Sequence, residues 1–168
     1  MNDVKLIWEK YVGIKESTES GLFYHGGDWK GETHPFVRRG SFGVGTYFTP
    51  DKNAAFERAR EYNTKYVVTC KFNNSKFVEI HEPPIVYNQL DIFLKMGYPD
   101  DEKSIDKLDK KINRIMDQHG YMGNEYRKYS EKYNLGYQGI AWYTTKGLFE
   151  ICNWYPYNVK VVNVESVN

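Results

Sequence analysis

Apolar positions along this chain follow two periods. At 66–72 (YVVTCKF), 76–80 (KFVEI), 139–143 (GIAWY), 148–155 (LFEICNWY) and 158–164 (NVKVVNV) they form short runs rich in β-branched and aromatic side chains, which predicts strands. Residues 21–26 (GLFYHG) read as a further strand bounded by glycine. In the middle, roughly 84–133, Ile105, Leu108, Ile112, Ile115 and Met116 recur at helical spacing among many Lys, Asp and Glu residues. That pattern gives a helix with one apolar stripe and one solvated face. Residues 3–12 (DVKLIWEKYV) predict a short helix with Leu6, Ile7 and Tyr11 on one side. Residues 50–62 predict another, with Thr49 as N-cap, Pro50 in the first position, Asp51 in the first turn, and Ala55, Ala59 and Tyr62 at helical spacing. Asn73 to Ser75, Asn63–Thr64, Pro83–Pro84 and Lys146–Gly147 supply the breaks. Strand-rich halves around a helical segment at about 84–133 predict one mixed, mostly antiparallel α+β domain over 1–168, not a doubly wound parallel sheet.

Composition narrows the class. The 168 residues carry 23 basic and 22 acidic side chains, a net charge of +1, so no overall basic excess points to nucleic acid. Two cysteines, Cys70 and Cys152, are too few for a disulfide framework and fit a reducing compartment. Charges interrupt the apolar stretch of the N-terminal MNDVKLIWEK, unlike a secretion signal, and no apolar run is long enough for a bilayer. The expectation is a soluble, cytoplasmic protein with no membrane partner. Fifteen Tyr, nine Phe and four Trp suit strands and flat-ligand pockets equally.

Several common chemistries lack their motifs. GSFGVGTYF has Phe48 where a dinucleotide fingerprint needs its third glycine, and no Lys-Ser or Lys-Thr pair follows a glycine loop. His25, His34, His81 and His119 are scattered and the cysteines are unpaired in spacing, so no metal site is expected. There is no G-x-S-x-G elbow.

Three separated pieces remain. Tyr24-His25-Gly26 ends a predicted strand. Gly43-Val44-Gly45-Thr46-Tyr47-Phe48 leads into the helix at 50. Glu150 stands alone in an apolar strand, six residues before Pro156. In this order they resemble the ADP-ribosyltransferase superfamily, in its His–Tyr–Glu branch of diphtheria-toxin-like and poly(ADP-ribose)-polymerase-like enzymes. Gly136-Tyr137-Gln138-Gly139-Ile140 is similar to the strand those proteins place before the glutamate. The resemblance covers about 20–80 and 135–165.

The resemblance implies split antiparallel sheets with flanking helices around a cleft for NAD, used as co-substrate. It implies a mono-ADP-ribosyltransferase that releases nicotinamide and passes ADP-ribose to a macromolecular acceptor, a protein in preference to nucleic acid. A compact domain of this kind resembles an effector, toxin or phage-encoded modifier. Glu150 would stabilise positive charge developing on the ribose. Gly26 would hold the nicotinamide carboxamide through its backbone, and His25 would bond the adenosine ribose. Tyr47 would stack on the nicotinamide ring, with Phe56 as the other wall. Arg38 and Arg39, in a glycine-rich loop from Trp29 to Gly45 expected to cover the dinucleotide, would meet its phosphates. Leu148 stands two before the glutamate, where arginine-modifying members carry Glu or Gln, which argues against an arginine acceptor.

Alternatives stand at each position. Glu150 can lie on an edge strand facing solvent, or pair with Arg38 or Arg39. His25 and Tyr47 can be structural, and Gly43 and Gly45 can be hairpin glycines. Water in place of the acceptor makes the protein an NAD glycohydrolase; loss of catalysis leaves a module binding a nucleotide or protein.

Overall fold

The computed structural model describes residues 21–32, 38–40, 42–73, 75–81 and 89–168. The helix expected at 3–12, His34 and the break at Pro83–Pro84 lie outside these residues. In chain order the elements are β1 (Phe23–Gly27), β2 (Arg38–Gly40), β3 (Gly43–Phe48), α1 (Lys52–Glu61), β4 (Tyr66–Phe72) and β5 (Phe77–His81). Then come α2 (Gln89–Lys95), α3 (Glu102–His119), α4 (Glu125–Lys132), β6 (Gly139–Thr144), β7 (Gly147–Asn153) and β8 (Val159–Ser166).

The strands form two sheets, one ordered β1-β4-β8 and the other β2-β3-β7-β6-β5. The architecture is therefore α+β. Pairing is antiparallel except between β5 and β6, which run parallel because three helices intervene and carry the chain back across the sheet. β4 and β5 are joined by a short connection yet belong to different sheets. The chain thus passes from one sheet to the other between Phe72 and Phe77 and does not close a hairpin there.

Three apolar clusters show how the layers stack. Tyr24 and Val67 of the first sheet pack on Ala55 and Ala59 of α1. Phe23, Val68 and Cys70 of the same sheet meet Phe48, Phe77, Ala141 and Ile151 of the second. On the second sheet's other face, Val78, Ile80, Ile140 and Cys152 pack under Ile92 and Phe93 of α2, Leu108 and Ile112 of α3, and Tyr126 of α4. Adjacent Val67 and Val68 serve different clusters because strand side chains alternate between faces. Both are fully buried, a contribution of about 1.5–3 kcal/mol each.

α1 starts two residues later than the sequence suggests. Asp51 is its N-cap, with Oδ1 accepting from Asn53 N at 2.9 Å and Ala54 N at 3.3 Å. Thr49 instead exchanges backbone bonds with Tyr24, at 2.8 and 2.9 Å, and Pro50 precedes the helix. A helix start takes one N-cap, and a carboxyl side chain accepts from its free N–H groups better than a threonine hydroxyl does. Tyr62 is the C-cap and exposed, so the buried stripe of α1 ends at Ala59.

Candidate active site

The site is built where the two sheets part. β3 pairs with β7 from Thr46 to Phe48, facing Asn153 to Ile151. Its next residue, Thr49, leaves β7 and bonds Tyr24 of β1. β3 therefore crosses from the second sheet toward the first, and the strands β1 and β3 diverge on either side of the Tyr24–Thr49 bridge.

His25 spans this divergence. Its Nδ1 lies 2.8 Å from the Tyr47 carbonyl oxygen; a carbonyl can only accept, so Nδ1 carries a proton and donates it. The ring is buried and packed against Phe48 and Trp29, with centroid distances of 5.7 and 6.1 Å. Gly26 follows on the edge of the first sheet. Tyr24 turns both backbone groups away from β4 toward Thr49, so ladder parity turns those of Gly26 toward the same side. The absence of a side chain at Gly26 has a second cause: a Cβ there would strike the Ala55 carbonyl oxygen of α1.

Tyr47 is a cross-strand partner of Cys152, and Cys152 lies two residues from Glu150, so all three share one face of the second sheet. The Tyr47 hydroxyl donates to Gly43 O at 2.9 Å and accepts from Phe42 N at 3.1 Å, and a Cβ on Gly40 would meet its ring. Burial, and then the neighbouring Cys152, push the Tyr47 phenol far above its ordinary range. It remains a neutral hydrogen-bond donor throughout the physiological range. Gly43, at φ +95°, and Gly45 are packing glycines, one against the Gly123 carbonyl and the other against Cys152 and Asn153.

Glu150 sits on β7 between β3 and β6, but β3 pairs only as far as Ile151, so at Glu150 the ladder continues on the β6 side alone. It pairs with Trp142, whereas Tyr143 pairs with Leu148, leaving Phe149 as an extra bulged residue immediately before it. Such a bulge re-aims the side chain beside it. The Glu150 side chain is 12% exposed, and its Oε1 accepts from Arg58 Nη1 at 2.7 Å. Its basic partner among the described residues is thus Arg58 of α1. Sequence reasoning missed Arg58, although its place beside the buried Ala55 and Ala59 stripe marks it as bordering the packed face of α1.

The remaining candidates lie elsewhere or are only partly described. Phe56 stands two residues from Arg58, about 200° around the helix, and packs on the cluster of Tyr24, Ala55, Ala59 and Val67. The Arg60 guanidinium lies 5.9 Å from its ring. α1 therefore presents Arg58, not Phe56, to Glu150. The segment Trp29–Gly45 is not one long open loop. Arg38–Gly40 form β2, paired with Gly43–Gly45, and Trp29 and Phe42 are buried anchors on either side of the segment between them. Arg39 is exposed and lies 5.0 Å from the Tyr121 ring. Residues 33–37, residue 41 and the Arg38 side chain lie outside what is described.

Among the described residues no group of acidic, His and Cys side chains is arranged to hold a metal, and no helix is long and apolar enough to cross a membrane. Comparison with protein-family models, curated proteins and solved structures found no match to this chain. The residues themselves must carry the functional reading.

Proposed function

We propose that this protein has the ADP-ribosyltransferase-like split-sheet fold, binds NAD between β1 and β3, and transfers ADP-ribose with release of nicotinamide. What supports the reading is the meeting of three pieces far apart in sequence. His25 hydrogen-bonds the backbone of Tyr47, and Tyr47 shares a face with Glu150, whose charge bears on the Tyr47 phenol.

NAD supplies a ribose–nicotinamide bond whose rupture leaves positive charge on the sugar, as in glycoside hydrolysis. Its electron pair departs with nicotinamide. An acceptor nucleophile then forms the new bond to the same carbon and loses its proton. Glu150 stabilises the cationic sugar while Arg58 fixes Oε1, which leaves Oε2 for the ribose 2′-hydroxyl. The outward N–H and C=O of Gly26 match the acceptor and donor of a carboxamide. The Tyr47 ring faces the nicotinamide, and His25 bonds the adenosine ribose.

The test is nicotinamide release from NAD by the intact protein and by Glu150→Gln. Release by the first and not the second is expected. Absence of release from both sinks catalysis and leaves a binding module. With cell extract and labelled NAD, mass spectrometry then identifies the acceptor; label found solely as free ADP-ribose makes water that acceptor.

A further inference from the structure

A cleft of about 650 Å³ lies between the helices α2, α3 and α4. Its wall carries six cations, Lys107, Lys110, Lys111, Arg114, Lys128 and Lys132, against one carboxylate, Glu125. A chain of net charge +1 therefore concentrates its basic groups here. Lys111 and Lys128 share Glu125, at 2.7 and 2.9 Å, and Lys110 pairs with Asp106. Lys107, Arg114 and Lys132 have no carboxylate partner among the described residues.

The floor of the cleft is aromatic. Buried Phe93 supports Tyr129 with ring centroids 5.5 Å apart, and Tyr129 meets Tyr133 at 4.7 Å and Tyr98 at 5.6 Å. Tyr133 ends this series 52% exposed, with Lys132 Nζ 5.1 Å from its ring. The pattern thus runs from a fixed apolar base to an open π-face beside unpaired cations.

We propose that this cleft binds single-stranded nucleic acid. Unpaired bases stack on tyrosine faces that a duplex cannot reach, while a cationic groove follows the phosphates. Lys107 and Arg114 stand seven residues apart on one face of α3, about 10 Å along its axis. That separation is wider than a single phosphate group can bridge, so successive phosphates of one strand can meet both cations. An acidic peptide would satisfy the cations but not the ring series. The inference is independent of the NAD reading, because binding is measured without NAD.

Fluorescence anisotropy with a labelled 12-residue oligothymidylate tests it. Binding should weaken with salt, with a logarithmic slope of about −2 or steeper. The double variant Lys107→Glu/Arg114→Glu should lose tenfold or more in affinity and flatten that slope. Both side chains are exposed, and unchanged melting temperature confirms that the variant is folded. Tyr133→Ala should cost about fivefold or more, whereas Arg114→Lys and Lys160→Glu, the latter on β8, should bind like wild type. Equal affinity of the charge-reversed variant overturns the proposal. So does equal displacement by duplex DNA or by polyglutamate, the latter indicating an acidic protein partner. Saturating NAD should leave strand binding intact; competition by NAD would overturn it by making this cleft the dinucleotide site.

Discussion

Arg58 Nη1 donates to Glu150 Oε1 at 2.7 Å, joining α1 to β7 across 92 positions of the chain. The pair fixes one carboxylate oxygen and leaves the other for a ligand. Arg58 is 39% exposed, so solvent screens the contact and its worth to stability is about 1 kcal/mol or less. Its larger effect is on orientation. Arg58→Ala should lower the melting temperature slightly and reduce nicotinamide release by about tenfold, with Arg58→Lys intermediate because it keeps charge but loses the planar fork. Glu150→Gln still accepts from Arg58, so it should fold and bind NAD normally while turnover falls about 100-fold. A Glu150→Gln protein with wild-type turnover would falsify the assignment.

Tyr47 serves the fold through its hydroxyl and the proposed site through its ring. Tyr47→Phe removes the partner of Phe42 N and Gly43 O in the β2–β3 turn. The expected cost is about 1–3 kcal/mol of stability, with NAD affinity nearly kept. Tyr47→Ala should lose both, and calorimetry showing wild-type NAD affinity for a folded Tyr47→Ala protein would remove the ring from the site.

Cys70 and Cys152 are buried thiols, each pushed up from 9.0 to about 12 by burial. Between those values the folded protein retains protons that the unfolded chain releases. Stability is therefore fully present below pH 9 and falls as pH rises toward 12, by about 1.4 kcal/mol per pH unit for each thiol. Melting temperatures measured from pH 8 to 11 should drop, and Cys70→Ala should make the drop shallower whatever its own cost. A pH profile for Cys70→Ala parallel to that of wild type would show that the Cys70 thiol does not titrate on unfolding.

Gly26→Ala places a methyl group against the Ala55 carbonyl oxygen of α1. Backbone cannot yield as a flexible side chain can, so overpacking should cost about 1–3 kcal/mol. Because β1 must shift off α1, His25 should also move relative to Tyr47. Thermal melting detects the first effect, and an altered His25 imidazole resonance the second. A Gly26→Ala protein as stable as wild type would show that the close approach is relaxed in solution.

Local pattern determined much of this protein. Alternation and β-branched runs placed β1 and β4 to β8 within a few residues, and the Ile105 to Met116 stripe placed α3. These elements follow from short-range preferences, which the sequence states directly. It also offers His25, Tyr47 and Glu150 as candidates, since a lone acid in an apolar strand and a His-Gly strand end are local features. Tertiary structure decided the rest. Nothing local says that β4 and β5 part into different sheets, or that Thr49 leaves β7 to bond Tyr24. The meeting of Arg58 with Glu150 depends on which side of α1 faces β7. The basic cleft likewise arises because α3 and α4 bring Lys107, Arg114, Lys128 and Lys132 to one wall, while net charge averages them away. Charges and rings act through space, and the spacing that matters for them is set by packing, not by position along the chain.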